Sequence, residues 1–240
     1  MPTRWSIYLP LKGTDDTGEF RLQIGDLEFL TRVAGMQNDG PAVILLHGFP
    51  ESSIMWNALL KKAANEGYRV LAFDQRGYSP GARPKDTDAY HISNLTDDVL
   101  AIADKVGFET FHLVGHDWGA VIGWNLAMSH ENRLLSFSSL TIPHAGVFFD
   151  AVLNHPEQKL LSSYIERLQN PFLPEYKFVS NDQEFFKQMM TNLPENHFKE
   201  YLALQAENGA ATATINWYRA LDIQEVVANK TYLQKVNSPT

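Results

Sequence analysis

Four short apolar runs, set apart by helix-length segments, constrain the fold of this chain more than any other feature. They are "AVILL" (42–46), "YRVLAFD" (68–74), "FHLVG" (111–115) and "LLSFSSLTI" (134–142). "AVILL" is continuously apolar, as suits a strand buried on both faces, and "YRVLAFD" reads as another buried strand. The intervening segments read as helices. Ser52 and Ser53 offer an N-cap for "IMWNALLKKAANEG". Leu95, Val99, Ile102 and Val106 fall on one helix face, closed by Gly107. "WGAVIGWNLAMSH" is the third helix. This alternation predicts an α/β fold, a mostly parallel sheet with helices on both faces. Ahead of it, "EFRLQIGDLEFLTRVAG" reads as two strands about a Gly25-Asp26 hairpin turn.

The pattern changes after Pro143. Residues 144–229 contain no convincing strand and carry Phe148, Phe149, Phe172, Phe178, Phe185, Phe186, Met189, Met190, Phe198 and Trp217. They are expected to form a helical cap inserted into an α/β core of residues 1–143; a separate helical domain is the alternative. Residues 230–240 would begin the return to the core, because "KVNSPT" reads as the approach to another strand. A sheet ending at 142 would expose an apolar edge, so C-terminal strands and helices are expected to be missing from the 240 residues.

Composition narrows the partners. The net charge of −8, from 20 basic and 28 acidic residues, argues against nucleic acid and anionic membrane. Without Cys there is no disulfide framework, thiolate metal site or Cys nucleophile. The N-terminus lacks an apolar run of signal-peptide length, and no stretch approaches a membrane span. A cytoplasmic location is expected. No His/Asp/Glu cluster has ligand spacing, so neither metal nor cofactor is expected.

The chemistry centres on "GHDWG" (115–119). A strand ending at Gly115 and a helix starting near Trp118 put Asp117 on a tight turn at the carboxyl end of the strand, where open α/β sheets bind ligands. Side chains at Gly115 and Gly119 would clash in such a turn. Gly119, Gly123 and Ala127 make a small-residue face that lets the helix lie close on the sheet. The competing reading makes Asp117 a helix N-cap. A second motif, "LLHGFP" (45–50), leaves its strand at the same end.

Together, His47-Gly48-Phe49-Pro50 and Gly115-His116-Asp117-Trp118-Gly119 resemble the α/β-hydrolase superfamily, in its epoxide hydrolase and haloalkane dehalogenase branch. "FDQRGYSPGARP" (73–84) resembles the loop after the next core strand. The resemblance runs from about residue 20 to the C-terminal end. It implies that Asp117 is the nucleophile and that the backbone N–H groups of Phe49 and Trp118 form an oxyanion hole. An aspartate attacks a saturated carbon bearing a leaving group, and water then hydrolyses the enzyme ester.

Opening an epoxide releases an alkoxide that needs an acid. Epoxide hydrolases use two cap tyrosines. Tyr164, in "SSYIERLQNPFLPE", and Tyr218, in "NWYRALD", resemble them in context. The expected partner is a small apolar epoxide. A haloalkane or haloacid dehalogenase is the alternative, with Trp118 as a halide donor. From another class, the alternative is a non-catalytic ligand binder or an incomplete fragment that self-associates or needs a complementing chain. The family's catalytic His and its acid partner are not visible. His47 and His116 are expected to bond neighbouring backbone, His144 to be a core or loop residue, and Asp74 and Arg76 to stabilise the loop after their strand.

Overall fold

The computed structural model describes residues 17–171, 174–176, 184–223, 226, 235–237 and 239. The N-terminal stretch, Phe172, Phe178, the Phe185 side chain and most of 224–234 lie outside this description. A six-stranded sheet runs β1(Thr17–Ile24), β2(Leu27–Ala34), β3(Ala42–Leu46), β4(Arg69–Phe73), β5(Phe111–His116) and β6(Leu134–Leu140), in the order β1-β2-β4-β3-β5-β6. The β1–β2 hairpin turns on Gly25, at φ 55°, and β2 meets β4 antiparallel. From β4 through β3 and β5 to β6 the pairing is parallel.

Helices α1(Asn57–Asn65), α2(Ile92–Val106) and α3(Trp118–Ser129) connect the parallel strands. Alternate residues of the central strands serve two cores. Val43, Leu45, Val70 and Ala72 pack with Leu60 of α1, whereas Ile44, Leu46, Leu71 and Phe73 pack with Val99 of α2 and Ile122 of α3. That two-sided burial is why the runs read as continuously apolar. Gly107 ends α2 in the left-handed region, at φ 77°.

Two local expectations are corrected. α1 begins only at Asn57, behind a 3₁₀ turn over Ser53–Trp56, and neither serine caps it. Their hydroxyls go elsewhere: Ser52 donates to Glu200, and Ser53 to Asp74 at 2.5 Å. β6 stops at Leu140, two residues early, where Thr141 turns to φ 74°. At the edge of the sheet, the Phe137 N–H of β6 donates to the carbonyl of Pro239 at 2.8 Å.

Beyond β6 the described elements are helices: α4(Ala145–Asn154), α5(Pro156–Leu161), α6(Tyr164–Gln169), α7(Glu184–Met189), α8(Glu195–Ala206) and α9(Ala210–Arg219). This layer lies over the carboxyl ends of the parallel strands. Trp217 of α9 is 1% exposed, and its indole N–H donates to the carbonyl of Arg76 at 2.8 Å. Glu200 of α8 pairs with the buried Arg32 at 2.9 Å, and Glu207 with Arg83 at 2.6 Å. Partly buried ion pairs with further hydrogen bonds fix geometry more than they add stability.

Candidate active site

Asp117 holds the N-cap position of α3, yet its side chain caps nothing. Its backbone sits at φ 51°, ψ −119°, a region that side chains disfavour. Such strain persists only where the surroundings impose it. Here they do, through close glycine packing. A Cβ at Gly115 would lie 2.3 Å from the Gly119 carbonyl oxygen, and one at Gly119 2.4 Å from that of Leu46. A Cβ at Gly123 would meet the Phe137 ring at 2.2 Å. The small-residue face of α3 is thus what allows the close approach to the sheet.

The carboxylate is held by backbone amides. Its Oδ1 accepts the Phe49 N–H at 2.9 Å. The Trp118 N–H bonds it as well. Burial raises the Asp117 pKa above its ordinary value, against the pull of the two amides. The loop that brings Phe49 in is held by His47, which is fully buried. Its Nδ1 lies 2.9 Å from the Gly48 carbonyl and its Nε2 accepts the Gln75 N–H at 3.0 Å, which fixes a neutral tautomer. Burial lowers its pKa accordingly. The Phe49–Pro50 peptide bond is cis.

His116 departs from expectation. Its Nδ1 meets the Glu51 side chain at 2.9 Å rather than neighbouring backbone. That hydrogen bond raises its pKa, outweighing burial. Asp74 and Arg76 also reach further than their own loop. Asp74 accepts the Ser53 N–H at 2.8 Å, and Arg76 grips Asp98 of α2 through two bonds of 2.7 and 2.8 Å. His144 caps α4, accepting the Gly146 N–H at 3.1 Å.

Tyr164 and Tyr218 come to the same place from two helices. Both line, with Asp117, an apolar cavity of about 160 Å³ whose walls include Trp124, Ile142 and Phe148. The Tyr218 ring is 4% exposed and packs edge-on against Phe49, Trp118 and Tyr164, with centroids at 5.1, 5.2 and 6.1 Å. Burial first, then the charge of Asp117, push its phenol well above the usual range, while a hydrogen bond to the Trp118 side chain acts the other way. Tyr164 is 40% exposed, and its phenol is raised by the same two causes. Both phenols therefore keep their protons at neutral pH.

Glu51 and Tyr78 have no assigned role in the sequence reading, and Trp217 figures there only as a large apolar residue of the cap. Tyr78 packs on His47 at 4.5 Å, and Trp217 stacks between Tyr78 and Trp118 at 5.6 and 5.5 Å. Glu51 follows Pro50 directly, so its place in the motif loop was the available signal. Among the described residues, no three His, Asp or Glu side chains converge as a metal site, and no helix is long and apolar enough to cross a membrane.

Known proteins share this fold. The α/β hydrolase fold family model matches residues 41–214. An AB hydrolase superfamily protein of Bacillus subtilis, YfhM, is 36% identical over 197 residues, covering 78% of this chain and 68% of that protein. Epoxide hydrolase 4 of Homo sapiens is 33% identical over 198 residues, covering 78% of this chain and 54% of the human one. The chain thus spans little more than half of the human relative. An epoxide hydrolase structure from Vigna radiata superposes with a TM-score of 0.78 at 25% identity, covering 95% of this chain and 79% of that one. With the family model matched across both strand-end motifs, the chain belongs to the α/β hydrolase fold family.

Proposed function

We propose that this chain is the nucleophile-bearing part of an epoxide hydrolase, with residues 144–229 as its cap. The observation that carries the assignment is that Tyr164 and Tyr218 share one apolar cavity with Asp117. Epoxide hydrolases among the relatives and solved structures support it. One Asp117 oxygen attacks an epoxide carbon. The C–O bond breaks, and a tyrosine donates its proton to the departing oxygen, which stays on the same molecule as a hydroxyl. The Asp117 oxygen held by Phe49 N–H becomes the carbonyl oxygen of the resulting ester. When water attacks that ester, the amides of Phe49 and Trp118 take up the oxyanion. The lining favours a small apolar epoxide, and no cofactor is required.

The water step needs a base. His47 has both ring nitrogens engaged and does not suit the task. A halide leaves without a proton, so a dehalogenase would have no use for two raised phenols facing the carboxylate.

Tyr218→Phe tests the assignment. The rate of Asp117 alkylation, followed by intact mass, should fall roughly 10–1,000-fold for a terminal epoxide and barely change for a primary alkyl bromide. Equal loss on both reagents, or none on the epoxide, would refute the acid role.

A further inference from the structure

The proposed acids stand on different helices. Tyr164 opens α6, and Tyr218 lies one residue from the end of α9. Their spacing therefore depends on how the two helices are joined. Gln169, the last residue of α6, makes that join. Its Nε2 donates to the carbonyls of Tyr218 and Leu221, both at 2.8 Å. Both partners are acceptors, which settles which end of the amide faces them.

The acceptors are groups that need such a donor. The Tyr218 carbonyl is among the last four of α9, which have no partner one turn further on, and it otherwise receives the Leu221 N–H at 3.2 Å. A donor there also suits the negative end of the helix dipole. A second join lies outside it: Arg219 donates to the Asn170 carbonyl at 2.9 Å and pairs with Glu175 through both terminal nitrogens. Gln169 is half-buried and does not line the cavity.

We infer that Gln169 is a positioning residue: its carboxamide ties the C-terminal end of α6 to that of α9, and so holds Tyr164 and Tyr218 at the spacing at which both reach one epoxide oxygen. This rests on the epoxide-hydrolase assignment above. The residue must be neutral, donate twice and span the gap. Glu cannot donate while ionised and would repel both carbonyls. Asn is one methylene short. Leu matches the bulk but removes the Gln169 donor from both carbonyls and leaves that of Tyr218 with the Leu221 N–H alone.

The test compares two reagents on the 240-residue chain. A terminal epoxide needs the tyrosines, and a primary alkyl bromide does not. Gln169→Leu and the isosteric Gln169→Glu should each slow epoxide alkylation of Asp117 by about tenfold, the scale of a small misplacement of reacting groups, and leave the bromide within about twofold. In a Tyr218→Phe background, Gln169→Leu should cost clearly less than in the native chain, as coupled residues do. Equal slowing of both reagents would mean that the join serves folding alone, and an unchanged epoxide rate would mean that the tyrosines do not depend on it. Either result overturns the inference while native alkylation of Asp117 stands. If the native chain is alkylated there by neither reagent, the assignment itself fails and takes the inference with it.

Discussion

Glu51 Oε2 lies 2.9 Å from Nδ1 of His116, so the residue before the proposed nucleophile is held by a carboxylate from the loop that carries Phe49. The pair raises the His116 pKa above 6.5. A raised folded-state pKa gives stability that is fully present below the unfolded value and lost as pH rises through the folded one. Glu51→Gln should therefore lower the melting temperature more at about pH 6 than at about pH 9. A histidine NMR titration should show the His116 pKa falling. A larger melting deficit at the alkaline pH would contradict the pairing.

Asp117 carries two costs: a disfavoured backbone conformation and a desolvated charge. Asp117→Gly removes both. It should abolish alkylation and raise stability by about 1 kcal/mol, the lower end of what such strain costs. The raised Asp117 pKa means that its charge weighs on the fold at neutral pH and is relieved by protonation. The gain should thus be larger near pH 7 than below about pH 4. Denaturant melts at both values check this, and a destabilised variant at neutral pH would contradict it.

Gly48 has no room for a methyl group. A Cβ there would lie 2.4 Å from Asp117 Cβ and 2.7 Å from its Oδ1. Gly48→Ala must push the two motif loops apart, at a cost of about 1–3 kcal/mol. The Phe49 N–H would leave Oδ1 with them. Alkylation by epoxide and by bromide should fall together, unlike the selective loss expected for Tyr218→Phe. Near-native rates with both reagents would show that the contact is dispensable.

Much of this was readable in the residues. "AVILL" is β3 without a residue's error, and the Leu95–Val106 stripe and Gly107 mark the face and end of α2. Those signals are local: apolar burial on both faces of a strand, periodicity on a helix, one glycine at a stop. What escaped is long-range. Ser52 and Ser53 look like helix caps until Asp74 and Glu200 arrive from elsewhere in the chain to take their hydroxyls. His116 looks like a motif histidine on backbone until the loop after β3 presents Glu51. Tyr164 and Tyr218 could be matched to a family, but their shared cavity depends on how α6 and α9 pack, and Gln169 carries no local signature at all.

The central claim is that Asp117 is a nucleophile toward a strained carbon, and its most direct test is the mass of the protein. The native chain, incubated with a terminal epoxide, should gain the mass of one reagent molecule. Peptide mapping should place the adduct on Asp117, and Asp117→Ala should not be labelled. Labelling at another residue, or an Asp117→Ala chain labelled as fast as the native one, would contradict the account.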